Sequence, residues 1–135
     1  MASAASAAAT VSQVQWFGTP SQPTVSITGH GFGHNAPTSY SAASTSCGAY
    51  SDNGSWYGKN GLWFYDDTNL WQGGRGTAAG GNCVGIKLVS WAPNTVVFNF
   101  GNAYDTFGNW IANPGDNFVL EVKGFYWGGT ITYTP

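Results

Sequence analysis

The chain has 135 residues, one domain's worth, and only 10 of them are charged (4 basic, 6 acidic; net −2), about 7% where a soluble domain carries roughly 25%. Four scattered basic groups supply no phosphate-neutralising stripe, which excludes a nucleic-acid partner. No apolar run approaches the roughly 18 residues of a spanning helix, so no membrane partner is expected. Seven Trp, seven Tyr, eight Phe and 20 Gly argue against disorder, which needs few aromatics.

The first ten residues, 1–10, are almost all Ala, Ser and Thr, with neither a basic nor an apolar stretch of a signal peptide. They are predicted to be disordered, and 11–135 to form a single β-sandwich domain cut from a larger secreted polypeptide. Period-two alternation then runs through the chain, the mark of strands with one wet face. Val14 and Trp16 alternate with Gln13 and Gln15, and Val25 and Ile27 with Thr24, Ser26 and Thr28. His30 and His34 follow in Gly29-His30-Gly31-Phe32-Gly33-His34. That glycine content forbids the helix on which an i, i+4 pair meets a metal, so both read as incidental.

Residues Gly48 to Gly81 are Gly-rich yet hold Trp56, Tyr57, Trp63, Phe64, Tyr65 and Trp71, and read as a long loop region with aromatic cargo. Cys47 and Cys83 bracket it and are predicted to form one disulfide, worth about 4 kcal/mol by loop closure and implying a secreted, extracellular chain. The alternative is two free thiols. Within the excursion, Asp66-Asp67-Thr68-Asn69 reads as a hairpin turn. With Asp67-Thr68 at the tip, Phe64 pairs with Trp71 and Tyr65 with Leu70. Either face of that hairpin can be the wet one; the favoured facing turns Trp63 and Tyr65 outward and keeps Leu62 and Phe64 inside, which buries Trp71.

Val84, Ile86 and Leu88 continue as a strand, Trp91-Ala92-Pro93-Asn94 as a hairpin, and Val96, Phe98 and Phe100 as its return. Asn113-Pro114-Gly115-Asp116 precedes a strand with Phe118, Leu120 and Val122 inward and Glu121 and Lys123 outward as a surface pair. Gly124 to Gly129 brackets Phe125-Tyr126-Trp127 before a last strand at Ile131 and Tyr133. Seven or eight short strands with frequent turns predict an all-β, antiparallel sandwich, jelly-roll or immunoglobulin-like.

Trp16 and Trp91 suit the core. Trp56, Trp63, Trp71, Trp110 and Trp127 sit among Gly, Asn, Ser and Asp, the neighbours of surface loops. A flat ring beside amides and hydroxyls suits the C–H face of a pyranose, and low charge suits a neutral ligand. The expected ligand-binding residues are therefore Trp56, Tyr57, Trp63, Tyr65, Trp71, Trp110, Tyr126 and Trp127; the competing reading packs these rings as a second core under the loop. No catalytic residues are expected. Asp66, Asp67 and Asp116 occupy turns, and no pair of carboxylates declares itself as the acid and base of a glycosidase. No cofactor is expected beyond a possible structural calcium at Asp66, Asp67 and Asn69.

The stretch Pro23-Thr24-Val25-Ser26-Ile27-Thr28-Gly29-His30-Gly31-Phe32-Gly33 resembles the opening of bacterial IPT/TIG-type immunoglobulin-like domains, which implies a secreted sandwich. As a whole the chain resembles a carbohydrate-binding module of secreted polysaccharide-degrading enzymes. That resemblance implies non-catalytic binding of a neutral polysaccharide, with a β-glucan such as cellulose first. The alternatives are an immunoglobulin-like structural or adhesive module and a small jelly-roll glycoside hydrolase, whose carboxylate would be Asp67 or Glu121.

Overall fold

The computed structural model describes residues 8–41, 54–57, 60–75, 83–105 and 110–135. The fold is all-β. Its described strands are β1 Thr10–Thr19, β2 Gln22–His30, β3 Tyr40–Ser41, β4 Ser55–Trp56, β5 Leu62–Asp66, β6 Trp71–Gly73, β7 Cys83–Val84, β8 Ile86–Trp91, β9 Thr95–Phe100, β10 Asn117–Val122 and β11 Phe125–Thr130. One sheet runs β1-β2-β9-β8-β4-β3 and the other β11-β10-β5-β6-β7. Every pairing is antiparallel except β6 with β7, which is parallel. Cys47 and the side chain of Cys83 lie outside the described residues, as does the expected disulfide.

The two sheets stack into a sandwich because each presents an unbroken apolar inner face. From the first come Trp16, Val25, Ile27, Ile86, Val96, Phe98 and Phe100; from the second, Leu62, Phe64, Trp71, Phe118, Leu120 and Val122, all buried. Aromatic rings bridge the layers: Trp16 meets Phe64 at 5.4 Å and Phe118 at 5.5 Å, and Trp71 meets Phe100 at 5.3 Å. Tilted and edge-on pairs of this kind are the favoured arrangement of aromatic quadrupoles. The buried part begins at Ala9 and the first strand at Thr10, slightly ahead of the expected boundary.

Three local expectations change. The Gly48–Gly81 excursion is not one long loop, since β4 joins the first sheet and β5 and β6 the second. The β5–β6 turn is four residues, Asp67 to Leu70, with Leu70 at φ 58°. The register is thus Phe64 with Gly73 and Asp66 with Trp71, two residues from the expected one. A shift of two preserves side-chain facing, so Trp71 is still buried and Trp63 and Tyr65 still face out. At the C-terminus the strand is Phe125–Thr130, entered by a tight turn at Lys123 (φ 48°) and Gly124 (φ 90°). Ile131 and Tyr133 follow it, and Tyr133 bridges to Trp16 in β1.

The Gly29-to-Gly33 motif has a packing role. A Cβ on Gly29 would stand 2.0 Å from the Thr10 carbonyl oxygen. Gly31 and Gly33 adopt φ 79° and 80°, a region glycine occupies without steric cost. These bends insert Phe32 into the core, and the Trp91 indole N–H donates to the carbonyls of Phe32 (3.2 Å) and Gly33 (3.1 Å). His30 Nε2 meets the Thr10 hydroxyl at 2.8 Å, and His34 is exposed.

Candidate functional site

Among the described residues, the outer face of the second sheet carries three aromatic side chains, Trp63, Tyr65 and Tyr126. Strand registers place them in two cross-strand rows. One row runs Tyr126–Glu121–Trp63, the other Gly128–Val119–Tyr65–Gln72. The Trp63 and Tyr65 rings are parallel to within 9° with centroids 5.7 Å apart. Tyr126 stands edge-on to Trp63 at 6.4 Å and is 54% exposed. A Cβ on Gly128 would meet only the Phe118 carbonyl oxygen, at 3.8 Å, so the sheet is open beside Tyr126.

The face is held rigid from beneath and from the side. Trp63 Nε1 donates to Gln72 Oε1 at 2.8 Å. The Arg75 guanidinium lies 4.5 Å from the centroid of a Trp63 ring and donates to Glu121 Oε1 at 2.8 Å. Glu121 is fully buried although it belongs to the outer face. Its partner is therefore Arg75 and not Lys123, whose ammonium sits 5.5 Å from the Trp91 ring. The expected Glu121–Lys123 surface pair does not form, because Lys123 has left the strand for the left-handed turn. The Arg75 contact combines a charge-assisted hydrogen bond with a cation–π contact.

Of the expected ligand-binding residues, this face brings together Trp63, Tyr65 and Tyr126. Trp56 and Trp71 are fully buried and Tyr57 is 9% exposed, so these three have no ring face for a ligand. Trp71 is locked by its indole N–H to the Ile111 carbonyl at 3.3 Å. Trp127 alternates with Tyr126 and packs against the core from the inner face of β11, and Trp110 packs against the core from the β9–β10 connection. Tyr57 and Trp71 thus belong to the core between the two sheets, with Trp110 and Trp127 packed against it, and not to a second core under a loop. Gln72 and Arg75 were missed, since neither carries a sequence motif.

Asp67 is exposed, while Asp66 is fully buried with Oδ1 accepting from the amides of Thr68 (3.0 Å) and Asn69 (2.8 Å). The Asn69 side-chain N–H donates to Asp116 Oδ2 at 2.8 Å, which also accepts from the Asn113 amide. Among the described residues no three His, Cys, Asp or Glu side chains gather as a metal would need.

Burial first, and the Asp116 carboxyl beside it second, push the Asp66 pKa up from 3.8 to about 7, against the pull of two backbone amides. A carboxyl raised in the folded state stabilises the fold fully below its unfolded pKa. That contribution is lost as pH rises through the folded value. Between pH 4 and pH 8 the protein should therefore lose on the order of 2–4 kcal/mol of stability from this group. Denaturant melts across that range should show the fall. Asp66→Asn, which keeps the carbonyl acceptor and resembles the protonated acid, should flatten the profile; an unchanged slope in that variant would contradict the assignment.

Against this geometry stands a blank from comparison. Family models, curated proteins and solved structures give no match to this chain.

Proposed function

We propose that this chain binds a neutral polysaccharide without chemically altering it, a β-glucan such as cellulose first, through the outer face of the β11-β10-β5-β6-β7 sheet. The observation that carries the reading is the parallel Trp63–Tyr65 pair beside the exposed Tyr126 ring. The two charges beside it, Arg75 and Glu121, neutralise each other. Parallel rings on a rigid sheet suit the repeating C–H faces of a glycan, and the Gln72 amide and tyrosine hydroxyls suit its edge hydroxyls. With them goes the picture of a carbohydrate-binding module of a secreted, extracellular polysaccharide-degrading polypeptide. Its sandwich is jelly-roll or immunoglobulin-like, closed by a Cys47–Cys83 disulfide and needing no cofactor.

Support for a non-catalytic role comes from the carboxylates. Of the described carboxylates, Asp66, Asp116 and Glu121 are buried and engaged in structural contacts, which withdraws these three from the roles of glycosidase acid and base, while Asp67 and Asp105 are exposed. The test is depletion from solution by insoluble cellulose, chitin and xylan. The wild type should be retained on cellulose. Tyr65→Ala and Tyr126→Ala should each weaken retention by about 1–3 kcal/mol, the scale of aromatic stacking on nucleobases, with an unchanged melting temperature. A folded wild type that stays in solution with all three glycans would favour an adhesive or structural module. Reducing-sugar release abolished by Asp67→Asn would favour a hydrolase.

A further inference from the structure

The opposite sheet carries a second polar site that the aromatic face does not use. At one end of the outer face of the first sheet lies an open cleft of about 420 Å³, within the range of roughly 300–1,000 Å³ found for small-molecule sites. Its floor is a single cross-strand row, Thr24 on β2, Asn99 on β9 and Lys87 on β8. One wall is the β1–β2 turn at Ser21 with the first residue of β2, Gln22, and the other is the connection after β9, with Asn102 and Tyr104. The Tyr104 hydroxyl donates to the Pro20 carbonyl and accepts from the Ala112 amide (2.8 Å). The walls are thus tied together and the cleft is preformed.

Its chemistry is one-sided. Thr24 Oγ1 donates to Asn99 Oδ1 at 2.7 Å, which occupies the acceptor end of that amide and leaves its N–H₂ as the end available to a ligand. Lys87 is exposed and makes no ion pair among the described residues. No carboxylate is found among the described residues that line the cleft. In a chain of net charge −2, an ammonium and an amide donor share a cleft with no acid. The Tyr104 hydroxyl is engaged and its ring stacks on Phe100 at 5.2 Å, so this side chain offers a ligand only the ring surface that lines the cleft.

We infer that this cleft binds a uronic acid, its carboxylate on Lys87 and the Asn99 amide and its pyranose ring beside Tyr104. A charge-assisted hydrogen bond from the ammonium would supply most of the selectivity for the acid over the neutral sugar. The site is separate from the aromatic face of the other sheet, so its failure and the failure of the polysaccharide reading are distinguishable.

The test is calorimetric titration of the full chain with galacturonate and glucuronate, against galactose, glucose and acetate. Both uronates should bind at least tenfold more tightly than their neutral counterparts and than acetate. Lys87→Met should lower uronate affinity at least tenfold and Lys87→Arg should restore part of it. Tyr65→Ala should leave uronate binding unchanged, and thermal melts should show every variant folded. A trigalacturonate binding more tightly than the monomer would place the ligand within a polymer, and equal binding would identify the free sugar acid; either supports the site. Equal affinity for neutral sugars or for acetate, absence of uronate binding, or indifference to Lys87→Met would overturn it.

Discussion

Trp71→Ala is expected to lower the unfolding free energy by about 3–5 kcal/mol, the range for deleting a large aromatic side chain from a packed core. Trp71 is fully buried and meets Phe64 at 5.1 Å, Phe100 at 5.3 Å and Tyr104 at 5.6 Å. Its indole N–H also satisfies the Ile111 carbonyl, so truncation opens a cavity and strands an acceptor at once. Chemical denaturation would show the midpoint fall. The contrast with Tyr126→Ala is the informative part, because Tyr126 is 54% exposed and its removal should leave stability within about 0.5 kcal/mol of the wild type. A mild Trp71→Ala would contradict the packing described for the sandwich interior.

Arg75→Ala should cost a similar amount for a different reason. It leaves the Glu121 carboxylate buried with no cation, and breaking one side of a buried ion pair typically costs about 3–5 kcal/mol. The same substitution removes the guanidinium that braces the Trp63 ring, so polysaccharide retention should fall together with stability. Replacing both partners, as Arg75→Met with Glu121→Leu, should recover most of the stability, because a well-packed apolar pair often matches a buried ion pair. Binding should recover only as far as Trp63 regains its orientation. Denaturant melts of the two single variants and the double variant measure the coupling; additive losses would show that the pair is not the unit described.

The strands with clean period-two alternation were legible in the sequence. Phe118, Leu120 and Val122, and Val96, Phe98 and Phe100, are buried as their spacing requires. The outward facing of Trp63 and Tyr65 was also readable, because a register shift of two leaves every side chain on its face, whereas Trp71, expected among the ligand-binding residues, is buried. Trp56 was not. It lies in a strand of two residues, too short for periodicity, and its Gly and Ser neighbours resemble those of a surface loop.

Nor was the ion pair of Arg75 with Glu121. These residues are 46 positions apart and meet only because Arg75, just past β6, reaches Glu121 on β10 across the intervening β5, an arrangement that local pattern does not encode. Lys123, two residues after Glu121, looked like the natural partner until its backbone turned left-handed. The Asp66–Asp116 association was hidden in the same way. Each carboxylate reads locally as a turn residue, and their proximity follows from the turn before β10 packing against the β5–β6 turn, where the Asp67 amide donates to the Asn117 carbonyl.

The most direct test of the polysaccharide-binding face is a titration with cello-oligosaccharide followed through the ring resonances of the aromatic side chains. Shifts concentrated at Trp63, Tyr65 and Tyr126, with Trp16, Trp56 and Trp71 unmoved, are the expected result. Saturation with no ring shift on that face, or shifts confined to other surfaces, would contradict it.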